Sequence, residues 1–261
     1  MFRALTTAAT GMEAQQTRID VIANNLANVN TNGFKKSRAE FNDLLYQTVR
    51  APGTYEAQGV TNPTGLQVGL GARAVSTERM QSSGELKQTN NPLDVAIDGD
   101  GFLQVTQQSG QPAYTRGGNL RMNQNGQIVT SEGLSLDPPI AVPSDATQLT
   151  IGADGTVSAV VAGQQQPVEL GQIQLSSFTN AAGLNALGHN LFVPTGSSGV
   201  AVSGKPGEQG RGTLMQGTLE MSNVKVVEEM IDLIAGQRAY DVNSKVIQAA
   251  DEMLRTTTQL R

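Results

Sequence analysis

LTTAATGMEAQQTRIDVIANNLANV, residues Leu5 to Val29, carries the decisive pattern of this chain. Leu5, Ala8, Met12, Gln15, Ile19, Ile22, Leu26 and Val29 follow one another by alternating threes and fours. That is the a/d seam of a heptad, with Gln15 as its polar member. The spacing predicts a helix about 35–40 Å long at 1.5 Å per residue. Asn28, Asn30, Asn32 and Gly33 mark its end, because Asn and Gly tolerate the left-handed backbone that closes a helix.

The opposite end of the chain answers this seam. Val226, Leu233, Tyr240, Ile247 and Leu254 recur every seven residues, and Met230, Ile234, Val242, Val246 and Met253 widen the stripe. Ser222 or Asn223 is placed to cap that helix, and Glu228 and Glu229 lie where the helix dipole favours negative charge. Two amphipathic ends predict helices that pair with each other as a coiled coil.

The middle changes character. Asn125-Gly126 lies between Leu120–Met122 and Ile128–Thr130, and Asp154-Gly155 between Leu149–Ile151 and Val157–Val160. Both are hairpin signals. Between Tyr46 and Gly65, the residues Pro52, Gly53, Gly59, Pro63 and Gly65 exclude a helix and leave a long loop or a two-strand excursion. The expected fold is α+β, with terminal helices and a central hairpin-rich all-β domain. The expected divisions are an N-terminal helix over 1–33, a connector over 34–66 containing the extended segment 46–65, a β domain over 67–217 and a C-terminal helix over 218–261.

Composition narrows the function. The 261 residues carry a formal net charge of −5, and only 16% are charged. An acidic surface repels a phosphate backbone, so nucleic acid is not an expected partner. The absence of cysteine excludes disulfides, thiolate metal sites and cysteine nucleophiles. Neither a secretory signal nor a run of about 18 apolar residues is present, and those signals alone place the protein in the cytoplasm.

Catalytic chemistry is hard to assemble from these residues. His189 is the sole histidine, and neither a zinc site nor a serine triad can be built from it by spacing. Gly69-Leu70-Gly71-Ala72-Arg73-Ala74 has dinucleotide-loop spacing but is not followed by a crossover helix. Asp98-Gly99-Asp100-Gly101 starts like a calcium loop and fails at Phe102. No catalytic residue, metal ligand or cofactor is expected. A cell-wall hydrolase on a β scaffold would need a carboxylate pair in a cleft, and an adhesin with coiled-coil ends would stay monodisperse where an assembly subunit forms tubes.

Three motifs carry a resemblance. Asn24-Asn25-Leu26-Ala27-Asn28-Val29-Asn30-Thr31-Asn32-Gly33-Phe34-Lys35 is similar to the N-terminal signature of bacterial flagellar basal-body rod and hook proteins. Asp94-Val95-Ala96-Ile97-Asp98-Gly99-Asp100-Gly101-Phe102, with Tyr114-Thr115-Arg116-Gly117-Gly118, resembles their central signature. Ser222-Asn223-Val224, Gln237-Arg238-Ala239-Tyr240 and Asn243-Ser244-Lys245 resemble the C-terminal one. The length, Asp43-Leu44-Leu45-Tyr46-Gln47-Thr48 and the segment after it look most like distal rod members. Proximal rod or hook-type subunits are the alternative.

The resemblance implies a non-enzymatic subunit of a rigid helical tube that transmits torque from motor to hook. Implied partners are further copies of itself, proximal rod proteins, the hook protein, the peptidoglycan and outer-membrane ring proteins and the flagellar type III export apparatus. The implied location is the periplasmic rod reaching the outer membrane, entered without a cleavable signal peptide. The assembly interface would comprise Leu5, Ala8, Met12, Ile19, Ile22, Leu26, Val29, Val226, Met230, Leu233, Ile234, Tyr240, Ile247 and Leu254. Tyr46, Pro52, Gly53, Pro63 and Gly65 would belong to a segment that confers rigidity.

Overall fold

Two long helices and 22 strands make up the fold in a computed structural model that describes residues 2–52, 55–56, 60–61, 64–163 and 166–259. The chain divides into two units. The first holds residues 1–26, 37–78 and 225–261, and the second holds 27–36 and 79–224.

In the first unit, α1 spans Phe2–Ala27. It stops two residues earlier than the heptad pattern predicts, because the chain turns at Asn28. There the Thr31 N–H donates to the Asn28 carbonyl and its hydroxyl to Asn28 Oδ1. Strands follow directly: β1 (Ser37–Asp43), β2 (Tyr46–Arg50), β3 (Tyr55–Glu56), β4 (Val60–Thr61), β5 (Leu66–Gly69) and β6 (Ala72–Arg79). β1 pairs with β6, β2 with β5 and β3 with β4. The described residues of the Tyr46–Gly65 segment thus form strands, with Gln47 opposite Val68 and Tyr46 opposite Gly69 across the β2–β5 pair. The β-structure begins at Ser37, thirty residues before the expected start of the β domain.

The last element of this unit is α2, Val226–Gln259. It has Glu228 and Glu229 in its first turn, as expected. Neither predicted cap serves it, because the helix begins beyond both. The Ser222 hydroxyl accepts from Val224 N–H, and Asn223 is occupied elsewhere.

The second unit contains β7 (Leu86–Gln88), β8 (Val95–Asp98), β9 (Phe102–Thr106), β10 (Pro112–Thr115), β11 (Leu120–Met122), β12 (Ile128–Thr130), β13 (Ser135–Leu136) and β14 (Ala146–Ile151). It continues through β15 (Thr156–Val161), β16 (Val168–Gln172), β17 (Leu175–Ser177), β18 (Asn185–Gly188), β19 (Leu191–Val193), β20 (Val202–Gly204), β21 (Thr213–Gln216) and β22 (Thr218–Glu220). A nine-stranded sheet runs β11-β12-β13-β9-β10-β19-β18, with β17 beside β9 and β20 beside β17. β14, β15 and β16 form a three-stranded meander, β21 pairs with β8, and β22 with β7. Both predicted hairpins are present, with Gly126 at φ 76° and Gly155 at φ 84°. That left-handed backbone is why glycine follows Asn and Asp there.

Alternating strand residues build the core of this unit. Val95, Ile97, Leu103, Val105, Leu120, Ile128, Val157 and Leu175 are closed to solvent. A second cluster holds Phe102, Tyr114, Leu184 and Phe192. Phe178 meets the Tyr114 ring edge to face at 4.8 Å, the arrangement that aligns a ring edge with a π face.

Candidate assembly site

The two helices lie against each other in opposite directions. Gly11 faces Asn243, Ile19 faces Gly236 and Asn25 reaches Glu229. Arg18 Nη2 is 2.8 Å from Asp232 Oδ1. Numbers that rise along α1 fall along α2. Ala8, Ala14, Ile22 and Asn25 are buried on α1, and Leu5, Met12, Ile19 and Leu26 are partly covered. On α2, Glu229, Gly236 and Ala250 are buried, and Leu233, Ile247 and Leu254 are partly covered.

The C-terminal stripe divides between two faces. Leu233, Ile247 and Leu254 turn inward. Val227, Met230, Ile231, Ile234, Val242, Val246 and Met253 stay exposed, Val227 at 70% and Ile231 at 62%. Val226 and Tyr240 lie near the border, each 39% exposed. Val227 and Ile231 lie outside the predicted stripe, and periodicity groups the others together because a stripe wider than one seam does not say which edge meets the neighbouring helix.

The β2–β5 ladder is a second exposed apolar feature among the described residues of this unit. Leu45, Tyr46, Val49, Leu66 and Val68 are all open to solvent. Pro52 sits in a turn, and Gly65 packs so closely on the Arg50 carbonyl and Pro52 that a side chain there would collide. Gly53 and Pro63 lie outside the described residues.

Asn25 holds the root of the first unit together. Its Oδ1 accepts from Ser37 N–H at 2.9 Å, and its Nδ2 donates to the Ser37 carbonyl at 2.9 Å and to Glu229 Oε2 at 3.1 Å. An amide is the side chain that can accept from and donate to the same backbone residue, as a neighbouring strand would. The heptad reading counts Asn25 only as a polar interruption.

In the second unit, Lys35 of the N-terminal signature and Arg116 of the central one meet at Glu220. Its Oε1 accepts from Lys35 Nζ at 2.7 Å and from Gly84 N–H at 3.0 Å. Its Oε2 accepts from Arg116 Nε at 3.0 Å. Lys35 also donates to the Ser82 carbonyl, and Arg116 to the Gly99 carbonyl. The Lys35 and Glu220 side chains are each 1% exposed and that of Arg116 2%. Burial disfavours the Lys35 ammonium and Arg116 repels it, which together lower its pKa against the opposing pull of Glu220.

Residue 33 must be glycine on two counts. It has φ 70°, and a Cβ there would lie 2.6 Å from the Arg116 carbonyl oxygen. Its N–H donates to the Glu220 carbonyl, and Phe34 accepts from Asn223 N–H. Asn223 Oδ1 accepts from Lys36 N–H, and its Nδ2 donates to the Met80 and Ser82 carbonyls. Val29 belongs to this same segment and is partly covered. The Asp98–Gly101 turn uses its glycines at φ 111° and 140°, and the Asp100 carbonyl receives Gly212 N–H.

His189 stands in the β18–β19 hairpin, exposed, with Nδ1 2.6 Å from Glu132 Oε1. Among the described residues, no group of three or more His, Asp or Glu could hold a metal ion. No described helix is long and apolar enough to cross a membrane.

The profile of the flagella basal body rod protein matches residues 5–35. That of the flagellar hook protein FlgE/F/G D1 domain matches 96–159, and that of the flagellar basal body rod FlgEFG protein C-terminal region matches 215–260. The chain is 49% identical over its full length to all of the flagellar basal-body rod protein FlgG of Buchnera aphidicola subsp. Acyrthosiphon pisum. It is 50% identical, over 99% of each chain, to FlgG of Caulobacter vibrioides, and 39% identical over both full lengths to FlgG of Bacillus subtilis. The matched regions hold most of both helices and all three members of the buried ion cluster, Lys35, Arg116 and Glu220, and the chain belongs to the FlgG family of flagellar basal-body rod proteins, structural subunits of the distal rod and not enzymes.

Proposed function

We propose that this subunit polymerises through its terminal helices into a rigid helical tube that transmits torque from motor to hook. The exposed apolar stripe of α2 carries this reading. Each large apolar side chain left in water forgoes roughly 1.5–3 kcal/mol of burial. Seven of them on one helix form a patch that monomers rarely expose.

In the polymer, that stripe packs on the helices of neighbouring copies, and α1 and α2 of each copy pair as a coiled coil. Leu5, Ala8, Met12, Ile19, Ile22, Leu26 and Val29 contribute from the N-terminal end. Val226, Met230, Leu233, Ile234, Tyr240, Ile247 and Leu254 contribute from the C-terminal end. The β2–β5 excursion reaches a neighbour and blocks the sliding that bending requires. Proximal rod and hook proteins continue the tube at its two ends, and ring proteins surround it in the periplasm. The export apparatus delivers the chain without a cleavable signal.

Electron microscopy of the concentrated full chain, with and without Ile234→Asp, tests the proposal. Straight tubes from the unaltered chain and dispersed particles from the variant are expected. Dispersed particles from both would refute it.

A further inference from the structure

Each helix contains one glycine, and each glycine lies against a side chain of the other helix. A Cβ on Gly11 would stand 2.9 Å from Asn243 Nδ2, and a Cβ on Gly236 would stand 3.2 Å from Ile19 Cγ1. Glycine weakens a helix relative to alanine, so a glycine inside a long helix calls for a compensating contact. Here both compensations come from the same antiparallel pair, and they are reciprocal. α1 presents a dent and then a knob, and α2 presents a knob and then a dent.

We infer that Gly11 with Asn243 and Gly236 with Ile19 form a register key, which admits one alignment of α1 on α2 and rejects alignments displaced by a heptad. A heptad stripe is nearly self-similar under a seven-residue shift, so apolar burial discriminates poorly between such alignments. The key discriminates well. A shift in one direction puts Gly11 opposite Gly236, leaving two missing side chains face to face, and brings Arg18 beside Lys225. A shift in the other direction drives Ile19 against Asn243, large on large, and moves Arg18 from Asp232 to Ala239. Either shift also separates Asn25 from Glu229, the buried hydrogen bond of the aligned pair. Gln15 fits the same device. Its Oε1 is buried without a hydrogen-bond partner and stands 3.8 Å from a Cβ on Gly236, so the dent also accommodates a polar seam residue.

The inference concerns pairing of the two helices and stands apart from polymerisation, so the test separates the two. The natural absence of cysteine makes the chain suited to engineered cross-links. In the full-length Gly11→Cys/Asn243→Cys double variant the Gly236–Ile19 half of the key still sets the alignment, and mild oxidation is expected to give an internally bridged monomer. The Ala4→Cys/Asn243→Cys and Arg18→Cys/Asn243→Cys variants, which sample the two shifted alignments, are expected to cross-link at least tenfold less. Equal yields from the three pairs would overturn the key.

A size swap gives the second arm. Gly236→Leu alone should cut the Gly11→Cys/Asn243→Cys bridge several-fold, and adding Ile19→Ala should restore it by moving the bulk from one helix to the other. A Gly236→Leu chain that bridges normally, or a swap without rescue, would equally overturn it. Correct bridging in a chain that forms no tubes would leave the key intact and refute the assembly reading.

Discussion

The Lys35 ammonium lies 2.7 Å from Oε1 of Glu220 across 185 residues of sequence, with both side chains sealed from solvent. Arg116 closes the other carboxylate oxygen at 3.0 Å, so one anion is shared between two cations. Removing Glu220 and removing Lys35 are therefore unequal operations. Glu220→Gln leaves two like charges buried together and should cost about 3–5 kcal/mol. Lys35→Met leaves a matched Arg116–Glu220 pair and a Ser82 carbonyl that still accepts from Asn223, and should cost about 1–3 kcal/mol for the lost charged hydrogen bonds. Denaturant melts of the two variants check the order; a Lys35→Met chain less stable than Glu220→Gln would contradict the shared-anion description.

The lowered Lys35 pKa gives a sign to the alkaline limb of stability. Below the lowered value the proton is bound in both folded and unfolded chains, and the burial penalty is constant. Between that value and 10.5, the ordinary lysine value, the unfolded chain binds more protons. Stability should then rise with pH across that window by this contribution. Comparing melts of the unaltered chain and Lys35→Met from pH 8 upward isolates it, and identical slopes would remove it.

Asn25 makes three hydrogen bonds with one amide. Asn25→Ala takes away the acceptor and donor that serve the Ser37 N–H and carbonyl and one donor to Glu229, and should destabilise the first unit by about 2–4 kcal/mol. Asn25→Asp cannot donate and places a carboxylate beside Glu229. It should be the worse variant at neutral pH and recover in acid, where the introduced carboxylate is neutral and can donate. Amide exchange at Ser37, measured at both pH values, reads this directly.

Ile231→Asp places a charge on the exposed face of α2. Monomer stability should change by no more than about 0.5 kcal/mol, as for other surface positions, while sedimentation should show assembly lost. Ile22→Asp and Leu233→Asp act on covered positions instead, and should disturb the helix pair before they disturb assembly. Circular dichroism of the three monomers separates the two effects.

Leu70 N–H already donates to the Leu45 carbonyl at 3.2 Å. The intervening excursion can be removed and the chain rejoined with little strain. A subunit lacking residues 46–69 should fold with its remaining strands intact and form curved or flexible filaments. Straight, stiff filaments under the microscope would move the source of rigidity elsewhere in the subunit.

The helices and both tight hairpins were legible because each rests on local chemistry: a 3.6-residue period, or Asn-Gly and Asp-Gly at a turn. The strand Ser37–Asp43 was not, and Tyr46–Arg50 was legible only as one of two readings, a loop or a two-strand excursion. Tyr46–Arg50 is exposed along its whole length, so it lacks the alternation by which a half-buried strand is recognised. The N-terminal seam was legible as a seam, and its partner helix was too. The division of the C-terminal stripe into a covered and an open face depends on where α1 lies. Glu220 carried no signal at all, since a lone glutamate ending a three-residue strand has no spacing to Lys35 or Arg116. The glycines at 11 and 236 look like helix defects until the opposite helix is in view.

Gly33 bonds to Glu220 and Phe34 to Asn223, so the chain enters and leaves the β unit through adjoining doorways. To part there, the second unit would have to surrender the two backbone bonds, the Asn223 contacts and the three buried charges in concert. A closure held in parallel in this way does not unzip from one end, because no member carries the load alone.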